Sequence, residues 1–157
     1  MPSPETIAES FRELDFHDDT FLDLRVLPSQ LCGDGAQSLV EIQLLHCSEK
    51  KLRYIRFFGC ANLRVAMDFD VLAQNLPPNT SRPGAHTNLN QMRDLIHSQK
   101  KDSDVAYAPG VESPLTRKLA AMDAFVAFRV QFFGGVVDVI ARNYQIETVD
   151  KRQHHVA

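Results

Sequence analysis

The feature that most narrows what this chain can become is its segment 122–149, MDAFVAFRVQFFGGVVDVIARNYQIETV. Met122, Ala124, Val126, Phe128, Val130 and Phe132 recur at every second residue, the period of a strand whose successive side chains point to opposite faces. Gly134-Gly135 interrupts the run, and both positions can adopt positive φ with no Cβ penalty. Val137, Val139 and Ala141 then resume the alternation. The pattern predicts strands over about 122–133 and 136–148, joined by a two-residue turn at Gly134-Gly135 and forming the centre of a sheet.

The same period appears upstream. In TFLDLRVL, Leu22, Leu24 and Val26 alternate with Asp23 and Arg25. A second strand is expected over about 38–47, where Val40, Ile42 and Leu44 alternate with Glu41 and Gln43. Ser48-Glu49-Lys50 turns into a third over about 51–59, read as an ordinary strand with an exposed cationic side. A fourth over about 62–70 carries Leu63, Val65, Met67 and Phe69 on one face. Connections this short make an antiparallel meander.

Two segments read as helical. Ser3-Pro4-Glu5 supplies an N-cap, a proline at the first helical position and an early acid, and Ile7, Phe11 and Leu14 follow at i, i+4 and i+7. The expected helix covers about 4–14. In the middle, 76–88 holds three prolines and a glycine and is read as irregular. A helix is expected at about 88–100 on the spacing of Leu89, Met92 and Ile96. Residues 102–113 are again loop-like, and Ser113-Pro114 repeats the cap-and-proline signature. The fold class is therefore α+β: a mostly antiparallel sheet of about six strands, an N-terminal helix and a mid-chain helical insertion. One domain over 1–150 and a flexible polar tail over 151–157 are expected.

Composition excludes several function classes. The chain has 157 residues, 44% hydrophobic, within the range of one globular domain. Its net charge of -3 opposes a nucleic-acid binder, which presents a basic face. No apolar run approaches the ~20 residues that span a bilayer. The first residues lack a basic and then apolar leader, and the three cysteines Cys32, Cys47 and Cys60 form no CxxC pair. A cytoplasmic protein with free thiols is the expectation. The acids gather early, with Glu5, Glu9, Glu13, Asp15, Asp18, Asp19 and Asp23 set against Arg12 alone. This end could face a basic partner, but a solvated helix face is the plainer reading and the one expected.

The candidate catalytic residues are His17, Asp18, Asp19 and His46. A histidine beside two carboxylates has the elements of an acid/base pair or a hard metal site. The plainer reading is that an Asp and His17 satisfy the backbone where helix hands over to strand. His46 ends the second strand in phase with Val40, Ile42 and Leu44. It could be a base or a metal ligand joined by Cys60 or His17, but a partly buried strand-end residue with one satisfied hydrogen bond is the favoured reading. Cys47 and Cys60 are weaker candidates as nucleophiles with His46. Lys50 to Phe58 interleaves bases with aromatics but lacks the glycines of an RNA-binding strand. No phosphate loop, GxSxG, HExxH or zinc-ligand spacing occurs, so no cofactor and no metal are expected.

FHDDTFLDLRV resembles the opening "FHD-small-x-hydrophobic" segment of small bacterial α+β proteins of uncharacterised function, some grouped with predicted immunity proteins of polymorphic toxin systems. KLRYIRFFGCANL and FRVQFFGGVVDVIARNYQIE resemble a strand and the closing hairpin of the same groups. Asp19 departs from the pattern, standing where Ser or Ala commonly follows the HD pair. The resemblance implies a compact α+β fold and leaves function open. The expected function is non-enzymatic: a sheet face or the 76–117 segment meets a protein partner, with immunity-type neutralisation one concrete form and a homo-oligomer compatible with it. The alternative is a small enzyme or ligand-binding protein using His17, Asp18, Asp19 and His46.

Overall fold

A computed structural model describes residues 2–16, 19–27, 38–46, 51–67, 82–97, 122–132 and 134–150. Helix α1 spans Pro4–Arg12. Ser3 caps it by accepting the Thr6 N–H at 3.2 Å, and Pro4 occupies the first turn, as its sequence signature requires. The strands are β1 (Asp19–Leu27), β2 (Leu39–His46), β3 (Lys51–Phe58), β4 (Asn62–Met67), β5 (Arg82–His86), β6 (Val126–Phe132), β7 (Gly135–Ala141) and β8 (Asn143–Asp150). Helix α2 covers Leu89–His97, and a 3-10 turn covers Met122–Ala124.

The expectation of a mostly antiparallel α+β fold is met, but the described strands number eight rather than about six, and they form two sheets. Sheet A runs β1-β2-β3-β8 and sheet B runs β4-β7-β6-β5, with every described pairing antiparallel. Two corrections supply the extra strands. β5 lies within the proline-rich segment read as irregular, and Pro83 is accommodated because β5 has a single neighbour, the edge position where proline is found. The final run is two strands, since β7 ends at Ala141 in sheet B while β8 begins at Asn143 in sheet A.

The exchange between sheets happens at one corner. Phe58 pairs with Asn143 in sheet A and Asn62 with Ile140 in sheet B, so three residues oppose two. Gly59 absorbs the extra residue at a φ of 64°. The Arg142 N–H donates to Phe58 O at 3.0 Å and the Ala61 N–H to Ile140 O at 2.7 Å, holding both crossing chains together.

The inner faces share one core containing Val40, Ile42 and Leu44 of β2, Ile55 and Phe57 of β3, Phe128 and Val130 of β6 and Val137 and Val139 of β7. Phe11 of α1 drives into it, with ring centroids 5.8 Å from Phe57 and 5.0 Å from Tyr144 on sheet A, and 4.9 Å from Phe128 on sheet B. Outside sheet B, Met92 of α2, Met122, Phe125 and Ile140 build a second, smaller cluster.

Three local expectations shift. Residues 122–124 form the 3-10 turn, so β6 starts at Val126 and Met122 joins the outer cluster. The hairpin turn is displaced: Phe132 pairs with Gly135, so Gly135 is a strand residue and not a turn position. Gly134 takes the positive φ of 93°, while Gly135 belongs to β7. In β1 an irregularity between Phe21 and Asp23 breaks the simple alternation, so Phe21 and Leu24 pack on the core while Leu22 is 46% exposed.

Gly135 is needed for space. A Cβ there would lie 2.8 Å from the backbone oxygen of Ala66 and 2.8 Å from the Phe132 ring. Gly135→Ala is expected to destabilise the fold by about 1–3 kcal/mol, the usual cost of overpacking. Urea denaturation curves check this, and a midpoint equal to that of the parent would contradict the packing account.

Candidate functional site

Of the four residues the sequence offers, the structure brings two together. Asp19 opens β1 directly opposite His46, the last residue of β2. His46 Nδ1 lies 2.7 Å from Asp19 Oδ1, so the ring donates its Nδ1 proton to the carboxylate. Asp19 is 1% exposed, the one buried polar or charged residue among those described. Its other oxygen, Oδ2, stands 3.1 Å from Arg53 Nη1, an ion-pair distance without hydrogen-bond alignment. The same Nη1 donates to Asp15 O at 2.6 Å, and the guanidinium sits 5.8 Å from the Phe16 ring. His17 and Asp18 lie outside the described residues, as do Cys32 and Cys47.

This cluster locks the handover from helix to sheet. The Asp19 N–H donates to Phe16 O at 3.0 Å, and the Phe16 ring is buried. Arg53 ties Asp15 to β3, and His46 ties Asp19 to β2. The His46 and Arg53 side chains are only 18% and 20% exposed. An Asp–His pair of this kind orients an imidazole in catalytic triads. Here, however, the residues close the end of the core, and the clefts described below do not include them.

Arg53 is the residue that the sequence reading missed. It was assigned to an exposed cationic side of β3, yet it lies in phase with Ile55 and Phe57 and faces inward. A base at the same parity as two buried apolar residues was the available signal of an internal ion pair.

Of the two weaker thiol candidates, Cys60 is described and does not meet His46. Cys60 stands beyond the far end of β3 from His46, whose cross-strand partner is Lys51. At ~3.3 Å per residue the seven steps from Lys51 to Phe58 alone span roughly 23 Å, so the two cannot act together. The Cys60 thiol donates to Phe57 O at 3.1 Å, and desolvation pushes its pKa up to about 11, the opposite of an activated nucleophile. Among the described residues no group of three or more His, Cys, Asp or Glu side chains could hold a metal ion. No described helix is long and apolar enough to cross a membrane.

Two surfaces outside the sequence candidates have the geometry of sites. The outer face of sheet A carries an open depression of about 620 Å³ around Glu41, Gln43, Tyr54, Arg56 and Glu147. Arg56 is clamped there, Nε donating to Glu41 at 2.7 Å and Nη1 to Glu147 at 2.6 Å, with its guanidinium 5.3 Å from the Tyr54 ring. These hydrogen bonds, to Glu147 first and then Glu41, raise the Arg56 pKa above its ordinary value and keep it charged. Between α2 and the outer face of sheet B lies a second cleft of about 350 Å³, lined by Arg64, His86, Gln91, Arg129 and Asp138. Arg129 binds Asp138 side-on, Nε to Oδ1 at 2.6 Å and Nη2 to Oδ2 at 3.2 Å. Comparison of the chain with protein-family models, with curated proteins and with solved structures finds no match.

Asp19→Asn is expected to cost about 2–3 kcal/mol, below the full cost of splitting a buried pair because both partners keep some solvent. For this size of domain the melting midpoint should fall by roughly 4–12 °C. An unchanged midpoint would remove the structural account of the cluster.

A pH effect belongs to His86. Its pKa lies below the ordinary value of 6.5, chiefly through desolvation by the cleft wall and then through repulsion from Arg129, opposed by Asp138. Between the two values the unfolded chain binds more protons than the folded one. His86 therefore contributes stability that is complete above about pH 6.5 and is lost as pH falls through the depressed value. His86→Gln should flatten that part of the stability profile, read as urea midpoints from pH 7.5 to 5.

Proposed function

We propose that this chain is a non-enzymatic interaction protein that meets a protein partner on the outer face of sheet A. The observation that carries this reading is the Arg56–Tyr54 platform, fixed in place by Glu41 and Glu147. Arginine and tyrosine anchor protein interfaces because they combine large contact area with directed hydrogen bonds. Side chains already held in one geometry lose less entropy when a partner docks. No described element packs over this face.

Charge points to a cationic partner surface. The face pairs Arg25 and Arg56 with Asp23, Glu41 and Glu147, a surplus of acid, and the whole chain carries -3. Acids at Glu5, Glu9 and Glu13 along α1 add to the field that would steer such a partner. Immunity-type neutralisation of a basic toxin, the class suggested by the FHDDTFLDLRV resemblance, is one concrete form. The rival enzyme reading draws less support, because Asp19 and His46 are spent on closing the core end.

The test begins with affinity capture from the native host and calorimetry on the captured partner. Tyr54→Ala and Arg56→Ala should each weaken binding about 30-fold, the mark of an interface anchor. Their stability should change by less than about 1 kcal/mol, since the ion pairs are partly exposed. Binding indifferent to both variants would overturn the assignment of this face. Loss of function in His46→Ala at an unchanged melting midpoint would favour the enzyme.

A further inference from the structure

The outer face of sheet B carries its charges in one cross-strand row. Register places Gly84 of β5 beside Arg129 of β6, Arg129 beside Asp138 of β7, and Asp138 beside Arg64 of β4. The neighbouring row is His86–Ala127–Ile140, and Met92 and Leu95 of α2 pack with its Ala127 and Ile140 while His86 stays exposed. The cleft of about 350 Å³ opens where the charged row emerges from under the helix. Its volume lies within the range of small-molecule sites.

Donors outnumber acceptors in this cleft. Asp138 is the acidic side chain in the lining, and both its oxygens already accept from Arg129. Arg129 retains the N–H groups that this side-on pair does not use, since a guanidinium carries five. Arg64 makes no hydrogen bond or ion pair among the described residues, so two cations face one anion. His86 Nδ1 accepts the Asn88 N–H at 3.1 Å, which leaves the ring proton on Nε2 as a further donor. Gln91 of α2 adds an amide at the rim. Leu95 and Ala127 offer an apolar wall beside these groups, with the buried Ile140 behind them.

Gly84 keeps the row open. A Cβ at this position would meet only Arg129, at 3.5 Å to Cβ and 3.9 Å to O, both ordinary contacts. A Cβ is thus sterically tolerated at Gly84, and its absence leaves room beside the guanidinium.

We propose that the cleft between α2 and the outer face of sheet B binds a small organic carboxylate, its head group held by Arg64 and Arg129 and its apolar stem lying on Leu95 and Ala127. A planar carboxylate matches the fork of a guanidinium, and its charge offsets the unbalanced cation. The apolar wall excludes a bare inorganic anion as the best ligand, because it would leave that surface wet. This site lies on the sheet opposite the proposed partner face, so each can fail without the other.

The test is calorimetric titration of the full chain with 3-phenylpropionate and hexanoate. The matching primary amides and inorganic phosphate serve as controls. A short peptide ending in an apolar residue, with free or amidated C-terminus, asks whether the carboxylate comes from a free acid or a chain end. Saturable binding of the acids is expected, with the amides and phosphate at least tenfold weaker. A free-acid peptide that binds more tightly than 3-phenylpropionate assigns the source to a protein terminus, and the reverse order assigns it to a free acid. Arg64→Gln should weaken binding about tenfold, and Gly84→Ala, whose Cβ meets only ordinary contacts, should weaken it without lowering the melting midpoint. The bound carboxylate should also raise the His86 titration seen by NMR, because it offsets Arg129; Asp138 and Arg64 are the other charges in this cleft, and the α2 residues lining it, Gln91 and Leu95, are uncharged. No saturable binding, equal binding of acid and amide, preference for phosphate, or indifference to both substitutions would overturn the proposal.

Discussion

Everything in this molecule hangs on the corner where two chains cross together from one sheet to the other. β3 continues into β4 and β7 into β8, and the pairs remain hydrogen-bonded through the bend. The single extra residue on one side, taken up by Gly59 in the left-handed region, turns what would be one long ladder into two faces. Without that turn Phe57 and Phe128 would not meet, yet their ring centroids are 5.1 Å apart. The core between the sheets exists because the ladder bends, and a continuous flat ladder would leave both apolar faces in water.

Helix α1 closes what the corner opens. Phe11 reaches both sheets at once, and two polar clips hold its helix in place: Ser10 Oγ lies 2.7 Å from the Tyr144 hydroxyl on β8, and Arg12 donates to Ala85 O on β5 at 2.8 Å. The segment leaving α1 must then rejoin sheet A at β1, and Asp19 sits at that junction. A carboxylate removed from water is tolerable there because a histidine and an arginine meet it from two neighbouring strands. Such a group specifies the junction more than it stabilises it.

Arg53 and Arg56 show how strand parity separates structure from function. Three residues apart on β3, they point to opposite faces. Arg53 faces inward and is consumed by Asp19 and the Asp15 carbonyl. Arg56 faces outward and is held over Tyr54 on an open surface. The outer side of sheet B takes a third course, with α2 packing on Ala127 and Ile140 of one row and leaving the charged row at the edge of a cleft. One face of each sheet builds the core, so any recognition chemistry falls to the other two.

The period-two alternation and the helix signals by themselves determined the class, since they are local properties of a few consecutive residues. Ser3-Pro4 sets the start of α1, Val40–Ile42–Leu44 the buried face of β2, and Phe128–Val130–Phe132 that of β6, whatever else the chain does. The sequence also singled out Asp19 and His46, because charged and titratable residues stand out at strand ends. What only the tertiary structure decided is non-local. The placing of Gly135 in the strand, the break at Arg142 and the pairing of the proline-bearing β5 depend on which strand lies alongside, and period two says nothing of partners. The same holds for the two constellations of charge. Asp19, His46 and Arg53 come from three strands, and Gly84, Arg129, Asp138 and Arg64 from four, so their meeting is set by register between distant segments. Alternation assigns each side chain to a face, but only the paired and bent sheets determine which side chains share that face.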